Sequence, residues 1–181
     1  MVDVIPDLNR WITATPTSGC VPLTVQWQIG TLAALKPAAY VLVFDAGDGS
    51  IPVRKNISTA QAPFDVFYTY STASDFTARV HLYDRNGRAL CNPVVQKIRV
   101  FARPKAAFTP VPLRTNIIRP DITFSNQSIA SDSYLWSFGD GITQSDNNPS
   151  VIHHYTDTGT YTVQLIALTN NGCSDTAYGK G

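Results

Sequence analysis

The sequence predicts an all-β protein made of two similar β-sandwiches in tandem. Three observations support this: short runs that alternate apolar and polar residues, turn-forming residues between those runs, and one ordered set of signals that occurs twice. Alternation over about four to eight residues is typical of half-buried strands. The clearest runs are 23–27, 76–82, 95–100, 121–124 and 161–165.

One segment has helical character. Leu32–Lys36 meets Pro37 after little more than one turn. Proline lacks the N–H that a continuing helix needs, so we expect a single short turn there at most.

The repeated signals divide the chain. Residues 76–87 align with 161–172 at an offset of 85, and Tyr70 then falls on Tyr155. The segment 47–49 aligns with 139–141 at an offset of 92, so the first copy carries about seven more residues in between. A period of this kind marks repeated modules. We therefore expect sandwiches at 1–102 and 103–181.

The second copy contains the motif that identifies the module. Trp136–Gly141 reads Trp-Ser-Phe-Gly-Asp-Gly and is followed by His153, Tyr155, Gly159 and Tyr161. This pattern resembles the PKD (polycystic-kidney-disease-type) domain, which implies an Ig-like β-sandwich. The first copy resembles the family less closely, because three motif positions differ. Phe44 stands in the place of Trp136, Ala46 in the place of Phe138, and Ser74 in the place of Gly159.

The motif residues have structural interpretations. Trp136 and Phe138 alternate on one strand, so both are expected in the core, as is Phe44 in the first copy. Gly139-Asp140-Gly141 predicts a tight turn, in which glycine adopts positive φ and the aspartate accepts backbone N–H groups.

Calcium is the alternative interpretation of the acidic turn residues. Asp45, Asp48 and Asp140 are candidate oxygen ligands, but the Asp-x-Asp-x-Asp pattern of a calcium loop is absent from the sequence. We favour the turn and expect no cofactor.

The histidines suggest a metal site only at first sight. His153 and His154 are adjacent, and adjacent strand residues point to opposite faces. We therefore expect one to be bonded in a corner of the sandwich and the other to be solvated. His81 is alone on its strand and is expected at the surface.

The second copy also has the spacing of a tyrosine corner. Tyr161 follows Asp157 and Gly159, so its hydroxyl is expected to bond back to the turn before it. The matching residue of the first copy is Phe76, which has no hydroxyl, so packing alone must hold that corner.

The three cysteines are Cys20, Cys91 and Cys173. In a seven-strand sandwich the A–B turn and the F–G loop lie at opposite ends, so Cys20 and Cys91 are too far apart to bridge. If a disulfide forms, we expect Cys20–Cys173, and in a reducing compartment all three are free thiols.

The end of the chain carries a further expectation. The last strand of the first copy, 93–101, would fall on 178–186 at the same offset, beyond Gly181. The second sandwich is therefore expected to lack its closing strand. Either the chain is part of a longer protein, or a neighbouring subunit adds the strand at the open edge.

Composition limits the function. A net charge of +1 with 15% charged residues disfavours nucleic acid, and no apolar run is long enough to insert into a membrane. No nucleophile, base and oxyanion donor occur together, so an enzyme is not expected. Glycan binding remains an alternative through tyrosines that would form a platform: Tyr40, Tyr68, Tyr70 and Tyr83. Of these, Tyr70 matches a core position of the family.

The expected function is a non-catalytic spacer or docking module whose partners are other protein subunits or domains. The resemblance implies an extracellular or cell-surface protein, or a carbohydrate-binding accessory module of a secreted hydrolase. The N-terminus has no signal-peptide pattern, which favours a second possibility, a subunit of a phage-like or injection-type particle assembled in the cytoplasm.

Overall fold

The computed structural model describes residues 8–30, 39–58, 64–116 and 118–180. All regular structure in these ranges is β-strand, apart from one 3-10 turn at Leu8–Arg10, and this confirms the all-β prediction. The short turn predicted at 32–36 lies outside the described residues. None of the described segments forms a helix of the length and hydropathy that crossing a bilayer requires.

The chain divides after Phe101 into two compact units, Met1–Phe101 and Ala102–Gly181. Each unit has its own buried apolar cluster.

The first unit contains eight described strands in two sheets. One sheet has the order β1-β3-β6, and the other has the order β2-β8-β7-β4-β5. The strands are β1 Ile12–Thr15, β2 Ser18–Cys20, β3 Leu23–Ile29, β4 Ala39–Asp45, β5 Val53–Ser58, β6 Phe64–Tyr70, β7 Ser74–Tyr83 and β8 Val94–Phe101.

The second unit contains seven described strands. One sheet has the order β13-β10-β9, and the other has the order β12-β11-β14-β15. The strands are β9 Phe108–Val111, β10 Asp121–Asn126, β11 Ser133–Ser137, β12 Thr143–Asp146, β13 Ser150–His154, β14 Thr162–Leu168 and β15 Ser174–Lys180.

The expectation that the second sandwich lacks its closing strand is wrong. β15 pairs with β14 over seven residues, from Ser174 opposite Leu168 to Lys180 opposite Thr162. The offset of 85 failed because the two F–G connections differ in length. In the second unit a tight turn, in which Gly172 N–H donates to Thr169 O, leads straight into β15, whereas ten residues separate β7 from β8.

Alternation of side chains places the cores between the sheets. On β3 the odd-numbered residues from Leu23 to Ile29 are buried, and on β14 Val163, Leu165 and Ala167 are buried. Burial of this apolar surface is the main stabilising contribution to each unit.

Each core is centred on one tryptophan and one phenylalanine, in exchanged positions. In the first unit Trp27 lies on β3 and Phe44 on β4, with ring centroids 5.2 Å apart. In the second unit Phe124 lies on β10 and Trp136 on β11, with centroids 5.8 Å apart. All four side chains are at most 1% exposed. The exchange conserves the volume that the two sheets enclose.

Candidate functional site

The Gly-Asp-Gly turns sit at the same place in both units. Gly139 and Gly141 have φ of 85° and 93°, and Asp140 Oδ1 accepts the Ile142 N–H at 3.0 Å. Gly47 has φ of 76°, and Asp48 Oδ1 accepts the Ser50 N–H at 3.0 Å. Glycine is required at the first position for a second reason, since a Cβ on Gly139 would lie 2.7 Å from Thr162 O.

The strand facing each turn ties the turn to the opposite sheet. In the second unit His153 Nε2 lies 2.6 Å from Asp140 Oδ2, and the Tyr155 hydroxyl donates to Phe138 O at 3.0 Å. In the first unit the Tyr68 hydroxyl donates to Asp48 Oδ2 at 2.5 Å. The Tyr70 hydroxyl donates to Ala46 O at 3.0 Å. Each unit thus has two such bonds, one to the aspartate of the turn and one to a backbone carbonyl, and we call these two bonds the turn latch of that unit.

The two latches use different donors with matched neighbours. His153 is 6% exposed and stacks on Phe138 with centroids 3.9 Å apart. Tyr68 packs instead on Phe44 and Tyr70, and the turn residue matching Phe138 is the small Ala46. A large turn residue thus accompanies a small donor, and a small turn residue accompanies a large donor.

The latch perturbs the ionisable groups that form it. Burial acts to raise the pKa of Asp140, but hydrogen bonds from His153 and the Ile142 N–H outweigh it and hold that pKa below 3.8. Burial also acts to raise the pKa of Asp48, but hydrogen bonds from Ser50 and Tyr68 outweigh it and lower that pKa. Burial raises the pKa of Tyr155 to about 12, which keeps its hydroxyl a donor.

The carboxylates considered for calcium therefore have protein partners. Asp45 Oδ1 accepts the Gly47 N–H at 2.8 Å, and Asp48 and Asp140 form the bonds above. Within the described ranges, no three His, Cys, Asp or Glu side chains come together as a metal centre would require.

The two adjacent histidines face opposite ways. His153 is buried, whereas His154 has a side chain 62% exposed and bonds Asp121 Oδ1 at 2.8 Å. The pair therefore does not converge on one ligand position. His81 is half-buried and stacks on Tyr83 at 5.9 Å.

A tyrosine corner closes the second unit. The Tyr161 hydroxyl donates to Asp157 O at 2.9 Å, and its ring stacks on Tyr155 at 4.4 Å. A Cβ on Gly159 would lie 3.3 Å from the Tyr161 ring, so glycine lets the two approach. In the first unit Phe76 stacks on Tyr70 at 4.7 Å and has no hydroxyl to donate.

The tyrosines considered for glycan binding do not form a platform. Tyr40 and Tyr70 are buried core residues. Tyr68 is half-buried and its hydroxyl bonds Asp48, and Tyr83 is half-buried beside His81. Among the residues that the structure describes, Phe67 at 62% and Tyr178 at 69% are exposed aromatics, and sequence patterns did not single them out.

One of the three cysteines is a free thiol, and the disulfide between the other two stays a prediction. Cys91 is a free thiol, half-buried, and burial raises its pKa. Cys20 ends β2, and Cys173 is buried at the start of β15.

A groove of about 420 Å³ lies beside the tyrosine corner of the second unit. Its floor includes Ile122 and Tyr155, and its rim includes Arg114 and Asp157. No sequence pattern indicated this groove, because its lining comes from two segments, 113–122 and 155–161, that are distant along the chain.

The outer faces of the two larger sheets differ in charge. In the first unit this face carries Asp75, Arg79, Lys97 and Arg99, with Arg99 Nε 2.9 Å from Asp75 Oδ1. On β11, β14 and β15, from the row of Ser133 to the row of Ser137, every described outward side chain is uncharged. These are Ser133, Leu135, Ser137, Gln164, Ile166, Leu168, Ser174, Thr176 and Tyr178.

Comparison with known proteins identifies the second unit. The family described as "PKD domain" matches residues 102–179. The second unit is a PKD domain. For the first unit, which lies outside the match, PKD membership stays a prediction from the repeat.

Individual relatives are similar over part of the chain. Collagenase ColA of Bacillus cereus is 38% identical over 63 residues, which are 32% of this chain and 6% of the collagenase. The PKD1 domain of Vibrio anguillarum Epp is 26% identical, with a TM-score of 0.37, over 44% of this chain and 90% of that one. The PKD1 domain of the Vibrio cholerae metalloprotease PrtV is 28% identical, with a TM-score of 0.36, over 44% and 94%.

Proposed function

We propose that the two sandwiches are non-catalytic modules that space or dock other parts of a larger extracellular protein or assembly. One observation supports this most strongly. The side chains best suited to acid–base chemistry hold turns against strands. They are His153, Asp140, Asp48 and Tyr68. These bonds hold a turn, and His153 is only 6% exposed, which leaves its ring little surface from which to act on a substrate.

The relatives favour one particular setting, an accessory module of a protease. The PKD domain resembles segments of proteins named as a collagenase and a metalloprotease. In that setting the modules would hold a catalytic domain near a protein substrate. The particle-subunit alternative and the glycan alternative have no comparable observation in their favour.

Binding to fibrillar protein separates these functions. The full chain is incubated with collagen fibrils, with an insoluble polysaccharide and with a non-fibrillar protein, and the pellet is assayed. Retention on collagen alone supports the protease-accessory setting. Retention on none supports the spacer. Retention on the polysaccharide alone contradicts both and favours glycan binding.

A parallel assay addresses catalysis. The chain is incubated with a broad peptide library and with chromogenic glycosides, and turnover is followed by mass spectrometry and absorbance. We expect no turnover. Activity that is lost in Asp140→Asn or His153→Gln would overturn the non-catalytic proposal.

A further inference from the structure

The outer edge of β15 presents backbone groups of known direction. Thr169 N–H donates to Cys173 O at 2.8 Å, so this pair occupies a hydrogen-bonded position of the β14–β15 ladder. Bonded and non-bonded pairs alternate along an antiparallel ladder. Ser174, Thr176 and Tyr178 therefore direct their N–H and C=O groups away from β14. The bond from Arg103 Nη1 to Ser174 O, at 3.3 Å, agrees with this direction.

This edge is open beyond Asp175. The Asp175 carboxylate accepts the Ala106 N–H at 2.8 Å, which covers the beginning of the strand. Among the described residues of the second unit, none bonds the outward backbone groups of Thr176 and Tyr178, and β14 is the only strand that pairs with β15. β9 approaches β15 through the Phe108 ring, which would lie 2.7 Å from a Cβ on Gly179. Natural sheets usually block such an edge with lysine, proline or a bulge. β15 has a lysine at its last position, Lys180, but the stretch 176–178 has none of these devices.

The side chains around the edge are suited to a neutral partner. Leu135, Ile166 and Tyr178 are the apolar members of the uncharged outer face described above, and Tyr178 is 69% exposed. In the first unit, the row that matches Ser137, Gln164 and Tyr178 carries Asp45, Arg79 and Val95, so both signs of charge are present there and that face is not suited in this way. Arg103 and Asp175 lie at the beginning of β15 and Lys180 ends it. The stretch 176–178 between them offers no complementary charge to a partner with a charged recognition motif, whereas an identical neutral face meets no repulsion.

We propose that β15 pairs antiparallel with β15 of a second copy of this chain. A two-fold axis through Ala177 places Thr176 of each copy opposite Tyr178 of the other. Both residues direct their backbone groups outward, so this register satisfies them reciprocally. The result is one continuous eight-stranded sheet, a self-complementary interface of the kind that closed dimers use. The inference goes beyond the spacer role, because a spacer needs no pairing edge.

Sedimentation and amide hydrogen exchange of the full chain test the pairing together. We expect a concentration-dependent monomer–dimer equilibrium. We expect the amides of Thr176 and Tyr178 to become more protected as concentration rises, while Ala177, already bonded to β14, stays protected throughout. Thr176→Pro removes one outward N–H without touching the β14 ladder and should abolish the dimer.

A second variant covers the case in which proline perturbs the fold. Tyr178→Lys brings two ammonium groups to diagonal positions across the axis and should weaken dimerisation by about tenfold or more. The matched control is Val95→Lys on β8, because Val95 is 51% exposed and holds the position of Tyr178 in the first unit. This control should leave the equilibrium unchanged.

Three results overturn the proposal. They are a monomer at all concentrations, a dimer that survives both β15 variants, and protection of Thr176 and Tyr178 that does not depend on concentration. The first leaves the spacer function standing, so failure of the pairing is distinguishable from failure of the proposed function.

Discussion

Tyr68 and His153 hold the same position in their respective units, 85 residues apart, and each bonds the aspartate of the glycine turn that faces it. One donor is a phenol and the other an imidazole, yet both reach the Oδ2 atom of that aspartate. The position is therefore defined by what it must contact rather than by residue type.

Removing the aspartate of the second latch should destabilise its unit. In Asp140→Ala the His153 ring, 6% exposed, loses its acceptor, and the Ile142 N–H loses its cap. A buried polar group left unsatisfied costs about 1–3 kcal/mol. Urea unfolding followed by Trp136 fluorescence in a Trp11→Phe, Trp27→Phe background measures the loss. Ser145→Ala, on the exposed edge strand β12, should change stability little. An equal effect of both substitutions would contradict the latch.

The same aspartate should confer a pH dependence. Its pKa in the folded unit lies below the usual 3.8, so the ionised carboxylate contributes stability above that value. This contribution is lost as the pH falls through the folded pKa. The stability difference between the natural chain and Asp140→Asn should therefore be constant near neutrality and shrink below about pH 4. A difference that stays constant to pH 2 would show that the carboxylate charge does not matter.

Two glycines of one turn should differ in their tolerance of alanine. Gly139→Ala meets both positive φ and Thr162 O at 2.7 Å, whereas Gly141→Ala meets positive φ with open space around it. Backbone strain of this type costs roughly 1–3 kcal/mol, and a clash with backbone adds to it. Thermal unfolding should rank Gly139→Ala as the more destabilised variant. The reverse order would mean that Thr162 is not close to the turn.

Two substitutions should convert the aromatic arrangement of the second core into that of the first. Trp136→Phe leaves a void in the second core and should cost roughly 1–3 kcal/mol. Adding Phe124→Trp copies the arrangement of Trp27 and Phe44 and should recover much of that loss. Equilibrium unfolding of the two single variants and the double variant gives the coupling energy. Simple additivity would show that the two positions do not share one space.

The Cys20–Cys173 disulfide inferred from the sequence also stays open to test. Alkylation of the unfolded, unreduced chain should modify one thiol, Cys91, which is free in the structure. Peptide mapping should then recover 20 and 173 in one linked fragment. Three modified thiols would rule the bridge out, and a Cys20–Cys91 fragment would contradict the strand order of the first unit.

Local chemistry explains how much the sequence could predict. The strands around Trp136 and Tyr161 were predictable because alternation and turn residues act over a few neighbours. β15 was missed because the offset of 85 does not hold beyond the F–G connection, whose length differs between the copies. The donor role of Tyr68 was also missed, because a hydroxyl that bonds an aspartate 20 residues away leaves no periodic signal.

The segment between the glycine turn and the latch donor is seven residues longer in the first copy than in the second, 19 steps from Gly49 to Tyr68 against 12 from Gly141 to His153. Both ends of that segment are anchored by side-chain bonds, so its middle can change in length without disturbing the anchors. It is thus a natural place to graft a foreign epitope or an affinity tag, displayed on a scaffold that has already accommodated one insertion.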